Sequence, residues 1–256
     1  MTDDIDEAKN WCGNDIDCDA CAHRGLRARG HCELKRACVE DRYARRIDRF
    51  FDQNPALADH YLGHPHFETR AIAAKHANVF QLPPLLKDPD ETVRWNAAQR
   101  LPRRYLRGLR QDPHREVRIR VAAHLGVEEL RPMMDDADYY VRLTVARRIE
   151  PAHLPQMMFD TEVEVRRAVA RRIDARWLLH MAADHDAEVR LAAAQRLPPS
   201  QLGQLRNDAD WRVRHHVANQ IGLSELAEMR GDPDPLVQDV VRARLTMAMI
   251  GLGGSR

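Results

Sequence analysis

No run of 18 or more apolar residues occurs in the 256-residue chain, so nothing in it is expected to span a membrane as a helix. The opening MTDDIDEAKN is acidic and polar, the opposite of a secretory leader, and a cytoplasmic protein is expected. Cysteine is absent after Cys38, and aromatic residues make up only 5% of the chain. A core must therefore come from Val, Ala, Leu and Met. Charge of one sign is also missing. The formal net charge is +1, with an acidic lean in residues 1–60 and a basic lean beyond, and neither part carries the excess of a strong non-specific nucleic-acid binder. No alternating β-branched run appears, which argues against strands. There is no phosphate-cradling glycine loop, no His-x3-His, no paired-carboxylate set and no nucleophile with a base at meaningful spacing. No enzyme is expected.

What is present is a period. Val93, Val117, Val141, Val165, Val189, Val213 and Val237 recur every 24 residues without an insertion. Arg follows each of them until Gln238 ends the row. An aspartate row from Asp88 to Asp232 and a leucine row from Leu82 to Leu226 keep the same step. A fixed period of this size means a solenoid, in which no unit can bury its apolar face alone and neighbours must cover each other. Within a unit, Val117, Val121, Ala122 and Leu125 lie on one face of an α-helix. The second segment places apolar residues three apart (Leu82 and Leu85, Leu106 and Leu109, Leu154 and Met157) before Asp halts it. That spacing fits 3₁₀-helix, and a short α-helix is the alternative. The aspartates suit capping of the following helix. Thr69-Arg70 mark a degenerate first unit, and Gln238 and Arg242 an atypical last one.

The cysteines read Cys12-x5-Cys18-x2-Cys21-x10-Cys32-x5-Cys38. In a reducing compartment such a cluster points to metal rather than disulfides. Its loop-rich surroundings, short of apolar material, would need that metal to fold. Four thiolates satisfy a tetrahedral zinc or a [4Fe–4S] cube. The second pair is spaced x5 where zinc ribbons repeat the close pair, which favours iron–sulfur. Arg24, Arg27, Arg29, Lys35 and Arg36 would offset the negative charge of the thiolates. Cys12 is a fifth thiol, read as spare or as a substitute ligand, and His23 and His31 are read as polar surface residues. The stretch VEDRYARRIDRFF follows. Val39, Tyr43, Ile47, Phe50 and Phe51 fall at helical spacing, with Asp41, Arg42, Arg45, Arg46 and Arg49 on the opposite, solvated face, and Asn54-Pro55 stops the helix. It is expected to dock the cysteine segment onto the first repeat. Residues 1–11 are expected to fray.

The Val-Arg-x-x-Val-Ala-x-x-Leu repeat, the cysteine cluster and the YARRIDRFF stretch together resemble the leucine-rich repeat variant (LRV) family. The resemblance implies an all-α, right-handed superhelical solenoid of alternating α- and 3₁₀-helices, with a small N-terminal [4Fe–4S] domain. Carried over by position, it implies Cys18, Cys21, Cys32 and Cys38 as cluster ligands. The organisation expected is a cysteine-cluster domain with its capping helix over 1–55, repeats over 56–245, and a mobile tail over 246–256. The function expected is a protein-interaction scaffold, binding through the concave face of the array, with a structural or redox-sensing cluster. The alternative is a nucleic-acid-binding solenoid using an arginine-rich face, with Arg142, Arg148, Arg166, Arg172 and Arg196 as the candidate anion or partner surface. Against that alternative, the Arg and Asp rows of stacked units would interleave into an ion-pair ladder, and the column of Arg148, Arg172 and Arg196 would be ordinary solvated charge.

Overall fold

A computed structural model of the chain describes residues 7–253, so parts of the expected frayed start (1–6) and of the expected tail (254–256) lie outside the described residues. Among the described residues there is no strand, only isolated bridges at Lys9–Asp15, Asn10–Asp41 and Glu33–Ala37. Residues 7–11 are thus tied into the cysteine segment. No helix among the described residues is long and apolar enough to cross a membrane. The chain forms two compact units, one ending at Leu125 and one beginning at Gly126.

The first unit holds the short helix Arg24–Ala28, the helix Ala44–Gln53, and the repeat helices Phe67–His76, Glu91–Arg100 and Arg115–His124. The second holds Tyr139–Ala146, Val163–Ala170, Ala187–Ala194, Trp211–Gln220 and Pro235–Gly253. The repeat helices begin 24 residues apart, as the Val row requires. That row is the buried one: Val93, Val141, Val165, Val189, Val213 and Val237 are 0% exposed and Val117 is 1% exposed. The leucine row from Leu82 to Leu226 is never more than 4% exposed. Sequence period and burial period coincide because, within each compact unit, each repeat presents the same face to the next repeat.

The connecting segments settle the choice between 3₁₀- and α-helix. Pro55–Tyr61, Pro83–Lys87, Arg103–Leu109, Arg131–Met133 and Pro151–Met157 are 3₁₀. In the later units one α-turn is added, at Leu178–Met181, Pro199–Leu202 and Leu223–Leu226. Proline at the start of several of these segments presets φ for the first turn without losing a needed N–H, and three-residue spacing keeps the apolar side chains eclipsed on one edge, which favours 3₁₀.

Helix starts differ from expectation by two residues. The side chains of Asp90, Asp138, Asp186 and Asp210 cap the helices that follow them. The Asp88 row does not cap. Its members instead accept from the backbone N–H of the residue two further on: Asp90 to Asp88 at 2.9 Å, Asp186 to Asp184 at 2.8 Å, Asp234 to Asp232 at 2.8 Å. Their remaining oxygen capacity goes to arginine. Arg70 clamps Asp88, and Arg94 clamps Asp112 with Nε–Oδ2 2.7 Å and Nη2–Oδ1 2.6 Å. In the second unit Arg142 clamps Asp160, Arg166 Asp184, Arg190 Asp208 and Arg214 Asp232. Each of these arginines also donates from Nη1 to the carbonyl six residues before it, such as Asp88 O for Arg94 at 2.9 Å. One guanidinium thereby ties its own loop to the next repeat.

The second arginine column is likewise structural where its contacts are described. Arg172 donates to Ala146 O at 2.7 Å and Ile149 O at 2.8 Å, and Arg196 donates to Ala170 O at 2.8 Å. Arg100 and Arg244 do the same one repeat back. These side chains satisfy carbonyls left open at the preceding helix C-terminus, which corrects their reading as plain solvated charge. At the far end, Gln238 keeps the loop bond of the missing arginine (Nε2 to Asp232 O, 2.6 Å) without leaving a charge with no following aspartate. The last helix continues through 246–253, the stretch expected to be tail.

Candidate metal centre

Local turns bring the cysteines together. Asp17 Oδ1 accepts from the N–H groups of Asp19 (2.9 Å) and Ala20 (3.2 Å), folding the chain between Cys18 and Cys21 into a turn. The helix Arg24–Ala28 then ends, and Gly30, at φ 74°, reverses the chain ahead of Cys32. Between Cys32 and Cys38 the Glu33–Ala37 bridge closes a tight loop with Lys35 at φ 65°.

The helix carrying YARRIDRFF holds this segment in place. It begins later than the spacing suggested, at Ala44, because Asp41 accepts from Tyr43 N–H and shapes the turn before it. Asp41 and Arg46, expected on a solvated face, are buried as an ion pair at 2.9 Å, and Arg46 also donates to Glu7 O. The burial follows from the cysteine segment wrapping over that face, and nothing in the local sequence signals it. Ile47, Phe50 and Phe51 are wholly buried. Cys38 N–H donates to Arg46 O, and Asn54 Nδ2 donates both to Phe50 O and to His31 O at 2.7 Å. The asparagine that ends the helix is thus also a strap across the cysteine loop.

All five cysteines are free thiols. Cys38 and Cys32 are buried and hydrogen-bonded to each other. That bond holds the Cys32 thiol below the usual range and, with burial, pushes Cys38 well above it. Burial also raises Cys21, against the N–H of His23, which donates to its Sγ at 3.4 Å. Charge on Cys18 and Cys38 perturbs Cys21, and charge on Cys18 and Cys21 perturbs Cys32, so these four sulfurs share one neighbourhood. Arg27 lowers Cys32, as expected of a flanking cation. Cys12 is exposed. No three His, Cys, Asp or Glu groups among the described residues converge closely enough to chelate a single ion. The donor set still fits a thiolate-ligated centre: four neighbouring free thiols, N–H groups aimed at sulfur, and a cation alongside.

His23 is committed elsewhere. Its Nε2 pairs with the Tyr61 hydroxyl and its ring packs on Phe50. Burial, then nearby Glu40 and the thiols, raise the Tyr61 hydroxyl well above its usual range. Tyr61 lies far from the cysteines in sequence, and no local pattern would have placed it beside them.

The segment 8–60 matches the family profile described as the LRV protein FeS4 cluster, and residues 187–210 match the leucine-rich repeat variant profile. A solved structure described as a leucine-rich repeat variant with a novel repetitive protein structural motif superposes with a TM-score of 0.86. It is 42% identical, over 90% of this chain and 99% of that one. The chain belongs to the leucine-rich repeat variant family. It is a helical-repeat protein bearing an iron–sulfur cluster domain at its N-terminal end. An uncharacterized 27.7 kDa protein in the nifB 3′ region of Rhodobacter capsulatus is 53% identical over 96 residues, which are 38% of this LRV chain and 39% of that relative.

Of the arginines considered as an anion surface in this LRV protein, Arg142 and Arg166 are inside the ion-pair ladder, and Arg172 and Arg196 donate to helix-end carbonyls. Arg148 is half-buried.

Proposed function

We propose that Cys18, Cys21, Cys32 and Cys38 hold a [4Fe–4S] cluster, with Cys12 outside the set, and that the repeat array is a scaffold for a protein partner. The single observation carrying the ligand assignment is the shared neighbourhood of those four thiols, with Cys12 exposed. When bound, the cluster supplies either a covalent cross-link or a one-electron store. The surrounding chain supports the first role directly. The cysteine segment is loop-rich and short of apolar material, so ligation at Cys18, Cys21, Cys32 and Cys38 would supply the cross-links that burial does not, and metal binding becomes folding energy for that segment. Four ligands leave no open coordination position, which supports a non-catalytic role. The scaffold reading rests on the fold: nearly every row of charge along the repeats is consumed in holding one repeat to the next.

The test is the iron, sulfide and zinc content of the protein purified without oxygen. Iron and sulfide in equal amounts, with a brown colour, support the assignment. A colourless protein with stoichiometric zinc refutes it. Cys12→Ser keeps the metal, whereas Cys38→Ser loses it. A nucleic-acid role for the array predicts binding to DNA that falls steeply with salt, and the occupied state of Arg142, Arg166, Arg172 and Arg196 weighs against it.

A further inference from the structure

In the second unit Arg142, Arg147, Arg166, Arg171 and Arg172 lie on two consecutive repeats, and Arg147 and Arg171 differ from the other three in their contacts. Arg142, Arg166 and Arg172 have the structural tasks described above. Arg147 and Arg171 sit at the C-terminal ends of the helices Tyr139–Ala146 and Val163–Ala170, at the same place in consecutive repeats. Cations are welcome at helix C-termini, but the carbonyls they could cap, Ala146 O and Ala170 O, are already taken by Arg172 and Arg196. Both side chains are exposed, and neither has a hydrogen-bond or ion-pair partner among the described residues. They open onto a cleft of about 170 Å³, with the buried Leu143 in its wall and with Arg167 and Arg172 beside them. Arg172 is held rigid by its carbonyls, and Arg167 has only a loose contact to Glu188 at 3.7 Å. Glu164 is the one carboxylate lining the cleft. Three guanidiniums with open donors, and a fourth whose donors are committed to carbonyls, face one carboxylate over the narrow apolar edge of Leu143 and Ala168, which makes a receptor for negative charge with a small adjoining apolar contact.

The cleft is local. The next positions of the Arg147–Arg171 row are Gln195 and Asn219, and the preceding one is Ala123, so the charge does not run along the array. A nucleic-acid backbone repeats its charge indefinitely and needs a track, whereas one acidic stretch of polypeptide needs a single pocket. We propose that the cleft of Arg147, Arg167 and Arg171 over Leu143 docks an acidic segment of a partner protein, its carboxylates on the guanidiniums and an aliphatic side chain against Leu143. This deepens the scaffold reading and rests on it.

The experiment uses the full-length protein with its metal and a fluorescein-labelled peptide of glutamates flanking one leucine, followed by anisotropy at low salt. Saturable binding is expected. Arg147→Gln with Arg171→Gln should weaken it by about tenfold or more, since charge-assisted bonds are lost, and the double lysine variant should lie between. Arg103→Gln with Arg104→Gln, equal in charge lost but in the first unit, should leave binding unchanged. Because the substituted side chains are exposed and carry no hydrogen bond or ion pair among the described residues, with the Arg104–Tyr105 ring contact the one cation–π contact among them, thermal unfolding of each variant should stay close to the parent. Equal loss in both double variants, no saturable binding, or tighter and Arg147/Arg171-dependent binding of oligothymidylate would each overturn the proposal. Such a failure, with iron and sulfide still present, would leave the cluster assignment standing.

Discussion

Replacing Asp112 with Asn is the sharpest test of how the repeats are joined. The exchange is nearly isosteric, and an asparagine oxygen can still accept from His114 N–H, which meets Asp112 Oδ1 at 2.9 Å. What disappears is the negative charge opposite Arg94. The two side chains are 8% and 2% exposed, so the guanidinium cannot turn to water, and its Nη1 remains tied to Asp88 O and Pro89 O. Breaking a buried pair from one side costs about 3–5 kcal/mol because a charge is left uncompensated. The Asp210–Arg212 pair, at 20% and 42% exposure, provides the control. Asp210→Asn removes the same charge, keeps an effective helix cap, and should cost no more than about 1 kcal/mol. Urea unfolding followed by far-UV circular dichroism compares the two, since urea, unlike guanidinium, does not screen ion pairs. Arg94→Met with Asp112→Leu should recover part of the loss, because no charge is left to desolvate even though His114 N–H, Asp88 O and Pro89 O lose their partners. Equal destabilisation by the two Asn variants, or no recovery in the apolar pair, would show that the ladder is ornament and apolar stacking alone holds the repeats.

Acid should dissolve the same ladder. Burial pushes Asp88, Asp160, Asp184 and Asp232 up, but their arginine and backbone hydrogen bonds outweigh it and hold each below the usual carboxylate value. Folded values depressed in this way contribute stability that is complete above about pH 4 and lost as pH falls through the folded values. Helicity measured against pH should therefore stay flat down to about 4 and fall steeply below it; a decline beginning near neutrality would contradict the assignment. At the helix starts, Asp186→Ala should cost about 0.5–2 kcal/mol in urea unfolding, through loss of its bond from Glu188 N–H. Asp184→Ala should cost more, since it strips the clamp from Arg166, itself only 4% exposed.

Much of this LRV protein can be read from its letters, and the reason is repetition. A residue type recurring every 24 positions reports a face that meets an identical face, so the Val and Leu rows announce the core, and the short run between Cys18 and Cys21 announces a metal bite. Periodicity names a face, however, and not a partner. The Arg94–Asp112 bond spans 18 residues and the Arg172–Ala146 bond spans 26, offsets that only the packing of one repeat on the next can set. The same holds for Asp41 and Arg46, which look solvated until the cysteine loop is laid over them, and for Tyr61 beside thiols far away in the chain. Arg147 and Arg171 are indistinguishable in sequence from their neighbours Arg148 and Arg172. What separates them is that the carbonyls within reach already have a donor, and whether an acceptor is already occupied is a property of three-dimensional neighbours alone.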